Sequence, residues 1–199
     1  MKKILQATLL FLMVSGFASA NSDPSKYLEG IANNMISVIE KNKEALKTDN
    51  KLAENLVREY LLPAIDKESF ARKTLGSKTW TSMSDAQQQQ FVDNYLQRVI
   101  NKYAKGLSLY DGQAFEFAES EISDKSGNAR VKSELKQTGS EPLGIYYYLR
   151  PNDKDWLITN MVIAGTSVTK SYRTQFLPRI QEVGMETFLK ELAEDKSAE

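Results

Sequence analysis

The sequence predicts an α+β fold, with N-terminal helices packed on one face of a curved antiparallel four-stranded meander and C-terminal helices closing it. Three observations carry this expectation. Apolar residues recur at helical spacing up to about residue 107, alternate from about 113 to 163, and return to helical spacing from about 168 to 192. Short turn signals separate the alternating runs: Asp124-Lys125-Ser126-Gly127, Gly139-Ser140-Glu141-Pro142 and Pro151-Asn152-Asp153. Helices first, strands second and a closing helical segment imply layers that are segregated rather than interleaved.

Each element has its own signature. Lys2 and Lys3, the apolar run Ile4–Val14 and the small-residue triplet Ala18-Ser19-Ala20 predict a cleavable signal peptide over residues 1–20. The apolar run is shorter than the roughly 20 residues of a membrane span. Residues 21–192 then form a single domain, and 193–199 a frayed charged tail. Asp23-Pro24 supplies an N-cap and a first-turn proline, and Leu28, Ile31, Met35 and Ile39 follow on one face. Asp49 and Asp66 offer further caps, Pro63 a stop and Gly76 a C-terminal glycine. Ser84 with Gln87 reads as a capping box. It opens a helix whose Phe91, Tyr95, Val99 and Tyr103 recur at every fourth position.

Beyond Gly112 the period changes. Gln113–Ile122 carries Phe115 and Phe117 on one face, and Ala129, Val131, Ser133 and Leu135 alternate with Arg130, Lys132, Glu134 and Lys136. Tyr146, Tyr147 and Tyr148 place aromatic rings on both faces of the next strand, and Trp156–Ile163 is apolar on both faces. From Gly144 to Phe176 the chain therefore reads as the inner wall of an apolar pocket with cations at its ends. A sandwiched, fully packed strand explains the same pattern.

Composition closes off much ordinary chemistry. The 199-residue chain has no histidine and no cysteine. Histidine general bases, Ser–His or Cys–His pairs, histidine metal ligands, disulfides and a lipid-carrying cysteine are therefore all excluded. Removing Lys2 and Lys3 leaves 24 basic against 26 acidic residues, a balance of −2 that does not suit nucleic acid. The exported product is expected to be soluble, with no cofactor. Gly165-Thr166-Ser167-Val168-Thr169 lacks the final glycine of a nucleophile elbow, so Ser167 reads as a helix cap. No phosphate loop, EF-hand or zinc spacing is present.

Several stretches together resemble the MlaC or toluene-tolerance family of periplasmic phospholipid-binding proteins of the Mla lipid-trafficking system. They are Leu62-Pro63-Ala64-Ile65-Asp66, Phe70-Ala71, Leu75-Gly76 with Trp80, Ser84 with Gln88 and Phe91, and Tyr103-Ala104 with Leu107 and Tyr110. Tyr147-Tyr148-Leu149, Trp156-Leu157-Ile158, Gly165-Thr166-Ser167-Val168 and Tyr172-Arg173-Thr174-Gln175-Phe176 complete the set. The resemblance covers nearly all of the chain after residue 20. It departs from the commonest family pattern in having Thr166 and Thr169 around Ser167, where apolar residues are frequent. It implies a non-enzymatic carrier that moves phospholipid between an outer-membrane lipoprotein complex and an inner-membrane ABC-type transporter. Its acyl chains would lie between sheet and helices, with the head group towards solvent.

On that basis, stripe and alternation assign a lipid-binding set. The helices contribute Phe91, Tyr95, Val99, Tyr103, Val168 and Tyr172, and the strands Phe117, Val131, Leu135, Tyr147, Met161 and Ile163. Arg130, Lys132, Lys170 and Arg173 are the expected head-group or partner-facing cations. The expected partners are phospholipid and the two membrane complexes, with no nucleic acid, and the protein is expected to be a monomer. The competing reading is an exported chaperone or adaptor with a packed core and no bound lipid.

Overall fold

The computed structural model describes residues 22–194 except 137, 138 and 140. The expected leader at 1–20 and the tail from 195 onward lie outside the described residues, as does part of the turn near Gly139. The architecture is the expected α+β arrangement of an antiparallel sheet with helices on its inner face.

The first helix, α1 (Pro24–Lys41), starts where Asp23 accepts hydrogen bonds from the backbone N–H groups of Ser25 and Lys26. Its entry is fixed to the sheet, because the Ser25 hydroxyl donates to the Ala118 carbonyl at 2.6 Å and the Trp156 indole to the Ser22 carbonyl at 2.7 Å. A short α2 (Lys43–Leu46) leads to α3 (Asn50–Leu56), capped by Asp49. The chain then widens into a π-helical turn over Val57–Leu61 and tightens to a 3₁₀ turn at Leu62–Ala64, where Pro63 ends it.

Asp66 caps α4 (Lys67–Leu75), Gly76 at φ 78° turns the chain into α5 (Ser77–Thr81), and Ser84 with Gln87 forms the capping box of α6 (Asp85–Ala104). Gly76 needs that positive φ, which costs a residue with a Cβ much more. A 3₁₀ segment, Lys105–Leu109, follows α6.

The strands are β1 (Ala114–Phe117), β2 (Glu121–Ile122), β3 (Ala129–Lys136), β4 (Leu143–Pro151), β5 (Trp156–Ile163) and β6 (Thr166–Ser167). Order runs β1-β3-β4-β5-β6, all antiparallel, with β2 also pairing β3. The meander of four longer strands was legible in the alternation. Its first run proves to be two strands, since pairing lapses between Phe117 and Glu121. A bulge between Tyr148 and Leu149 shifts the register against β5. Ser167 caps α7 (Val168–Val183) by accepting from the Lys170 N–H, and α8 (Met185–Glu194) runs two residues past the expected end.

Burial falls into three clusters. One joins α4 to α8 around Phe70, Phe91, Tyr95, Tyr172, Phe176 and Phe188. A second sits on the sheet around Leu28, Val131, Leu149, Trp156 and Ile158. The third holds α1 to α3 against α6 through Ile39, Leu46, Leu56 and Ile100.

Candidate functional site: an apolar cavity between helices and sheet

The three clusters do not close on one another. Where they meet, the inner face of the sheet and the helices enclose a cavity of about 430 Å³, inside the roughly 300–1,000 Å³ range of ligand pockets. Alternation builds its floor. The paired rows Phe115↔Leu135, Ile145↔Ile163, Tyr147↔Met161 and Leu149↔Ile158 all turn inward, and all but Leu149 reach the cavity wall. The roof comes from three helical pieces. Ile31, Met35 and Ile39 lie along α1, Leu61 and Leu62 flank the π-turn, and Leu96, Val99 and Tyr103 line the C-terminal half of α6. Widening the helix at Val57–Leu61 changes its phase, so Val57, Leu61 and Leu62 all reach the cavity.

The cavity opens beyond the end of α6. Gly106 and Leu109 both line it and both stand exposed, Leu109 at 76%. No charged side chain belongs to the wall; Gln113 and the phenols of Tyr103, Tyr110 and Tyr147 are its polar groups. Burial pushes the Tyr103, Tyr110 and Tyr147 phenols above their ordinary pKa, so the wall is uncharged at neutral pH. Such a surface can hold an apolar chain and offers no group for proton transfer at neutral pH. Ser167, the one nucleophile candidate, is engaged as the α7 cap and lies 3.2 Å from the Asn160 amide nitrogen, which donates to it. Among the described residues no cluster of His, Cys, Asp or Glu could hold a metal ion.

Of the residues assigned from sequence, Val99, Tyr103, Phe117, Leu135, Tyr147, Met161 and Ile163 meet at this cavity. Phe91, Tyr95, Val131, Val168 and Tyr172 do not. Phe91 and Tyr95 occupy the N-terminal half of the α6 stripe, which α7 and α8 cover. The Phe91 ring stacks on Tyr95 at 5.3 Å and meets Phe176 edge-on at 6.0 Å, and the Thr74 hydroxyl donates to the Tyr95 oxygen at 2.9 Å. Val168 and Tyr172 belong to the same cluster. Val131 is fully buried in the sheet cluster, because the Phe117 and Tyr147 rings, 6.2 Å apart, close over β3.

The four expected head-group cations lie elsewhere. Arg130 and Lys132 are on the outer face of β3, paired with Glu121 and Glu134, and Arg130 also stands over the Tyr146 ring. Arg173 donates to the carbonyls of Lys73 and Thr74 at the C-terminal end of α4, and Lys170 is exposed in the first turn of α7. Sequence reasoning also missed the α1 and π-turn walls. Their amphipathic stripes were visible, but a stripe does not reveal whether it meets side chains or empty space. Lys102, a cation the sequence reading passed over, has its ammonium 5.7 Å from the Tyr103 ring, which lines the cavity, and 5.5 Å from the Tyr172 ring.

The MlaC protein family model fits residues 29–194. The chain belongs to the MlaC family. It is 27% identical over 198 residues to the intermembrane phospholipid transport system binding protein MlaC of Haemophilus influenzae, spanning 98% of this chain and 92% of the relative. It is 22% identical over 188 residues to a toluene tolerance protein of Pseudomonas putida, spanning 92% and 86%. A solved phospholipid-binding protein from Ralstonia solanacearum, in complex with a phospholipid, shares the fold with a TM-score of 0.79. That match has 19% identity and covers 88% of this chain and 99% of the other. Among the described residues, no helix is long and apolar enough to cross a membrane.

Proposed function

We propose that this MlaC-family protein is a non-enzymatic phospholipid carrier. It is exported to the periplasm and shuttles lipid, as a monomer, between an outer-membrane lipoprotein complex and an inner-membrane ABC-type transporter, maintaining outer-membrane lipid asymmetry. The observation that carries the reading is the uncharged cavity of about 430 Å³ open at Leu109. A chaperone or adaptor with a packed core would have no use for it. At about 30 Å³ per water-sized group, the space takes about 14 methylene-sized groups, the scale of one acyl chain.

Energetics support a shuttle with partners at both ends. Each buried methylene contributes about 0.8 kcal/mol, so about 14 of them supply roughly 11 kcal/mol gross, the scale of nanomolar binding. Such a ligand leaves into water too slowly to be useful. Release therefore requires docking to a complex that receives the chain. The test is native mass spectrometry with organic extraction of protein purified from cells. Co-purified phospholipid is the expected result, and a clean apo mass with no extracted lipid sinks the carrier reading in favour of the adaptor.

A further inference from the structure

One feature of the cavity floor goes unused by the packing of acyl chains. Ser133 is 1% exposed, and among the described residues its hydroxyl has no hydrogen-bond partner. A buried hydroxyl is costly to leave unpaired, and native proteins seldom keep one that serves nothing. Its place in the fold is specific. On β3 it pairs with Phe117 on one side and Ile145 on the other, two residues inward from Leu135 at the open end of the sheet.

Its inward-facing neighbour diagonally across on β4 is Tyr147, which lines the cavity. Burial raises the Tyr147 phenol pKa while the Ser133 hydroxyl acts in the opposite direction, so the two hydroxyls are neighbours although they fall short of hydrogen-bond geometry. The Phe117 and Tyr147 rings close over Ser133, leaving Tyr147 at the wall and Ser133 behind it. Gripping a methylene chain needs no hydroxyl here; a phenylalanine would serve as well.

Depth adds the second half of the argument. Successive inward-facing residues on a strand lie roughly 7 Å apart. A lipid whose head group stays at the rim places its glycerol ester linkages about that far inside. The ester carbonyl is a hydrogen-bond acceptor without a donor of its own, and it loses water on entering an apolar cavity.

We propose that the Tyr147 hydroxyl, positioned by Ser133 behind it, donates a hydrogen bond to an ester carbonyl of the bound lipid, setting insertion depth and favouring ester-linked over ether-linked chains. This rests on the carrier reading above. The ligand class is thereby narrowed to ester-linked glycerolipids.

The test is a competition between diester phosphatidylethanolamine and its diether analogue, offered as mixed vesicles and read by native mass spectrometry. Wild-type protein is expected to favour the diester about threefold to tenfold, the scale of one neutral hydrogen bond. Tyr147→Phe is expected to bring diester and diether uptake to parity. Ser133→Ala removes only the unpaired hydroxyl, so it serves as the second variant, and it is expected to weaken the preference in a folded protein. Equal uptake by wild type, the result if the hydroxyls hold only an ordered water, overturns the proposal. So does a preference that survives Tyr147→Phe. Wild type taking up neither lipid overturns the carrier reading itself, an outcome distinct from equal uptake.

Discussion

The backbone N–H of Asp66 donates to the Ile158 carbonyl at 2.9 Å, beside a parallel bridge between Ile65 and Ile158. Through this contact the end of the π-turn segment is hydrogen-bonded to strand β5, and both isoleucines face the cavity. Helical roof and sheet floor are thus joined by main chain at the inner end of the site. The Asp66 side chain reinforces the joint: it caps α4 through the Ser69 N–H at 3.0 Å and pairs with Arg150 on β4.

The Asp66 carboxyl is pulled in two directions. Burial raises its pKa, but hydrogen bonds from Ser69 and Arg150 outweigh that and hold it below the ordinary 3.8. A carboxyl depressed in the folded state stabilises the fold above its unfolded pKa, and that contribution is lost as pH falls through the folded value. Asp66→Asn should therefore cost about 1–2 kcal/mol at pH 7, the scale of charge-assisted hydrogen bonds. The difference from wild type should shrink below about pH 4. Denaturant titrations at pH 7 and pH 3 check this, and a gap that is the same at both contradicts it.

Phe91 separates packing from binding. It is fully buried among Tyr95, Phe176 and Phe188 and lies away from the cavity. Phe91→Ala should cost about 3–5 kcal/mol and leave lipid occupancy of the folded fraction unchanged. Urea denaturation with native mass spectrometry at low denaturant reads both quantities.

Ile163 gives the opposite pattern. It is half-buried at the cavity wall opposite Ile145, so a charge placed there can reach water without breaking the core. Ile163→Glu should lower phospholipid occupancy by tenfold or more while shifting stability by about 1 kcal/mol or less. Retained occupancy in a folded Ile163→Glu protein would show that the chains lie elsewhere.

Gly30 is in the interior of α1, exposed, and a Cβ there meets nothing within 4 Å. Gly30→Ala should raise stability by about 1 kcal/mol through helix propensity alone. The midpoint of chemical unfolding measures it.

The strands were the most legible part of the sequence, because a two-residue period assigns faces except at a bulge, as on β5, where Ile158 and Met161 both face inward. Alternation put Phe117, Leu135, Tyr147, Met161 and Ile163 on one side of their strands, the family resemblance made that side a pocket wall, and all five line the cavity. Caps were equally readable, as at Asp66, Ser84 and Ser167, since they depend on residues only three apart. What could not be read was the partner of each apolar face. The α6 stripe from Phe91 to Tyr103 is uniform in sequence, yet α7 and α8 bury its first half and its second half lines the cavity. The cations failed for a related reason. Arg130 and Lys132 alternate outward correctly, but neither lines the cavity, a relation that only tertiary structure supplies.

The central claim is that acyl chains occupy the space between β1–β5 and the α1–α6 roof. Photocrosslinking tests it most directly, using a phospholipid with a diazirine near the end of one acyl chain and mapping the adducts by peptide mass spectrometry. The account predicts adducts on cavity residues such as Val99, Tyr147 and Met161, and none on Phe91 or Tyr95. Adducts concentrated on Tyr146 and Tyr148 of the outer sheet face, or in the Phe91 cluster, would contradict it.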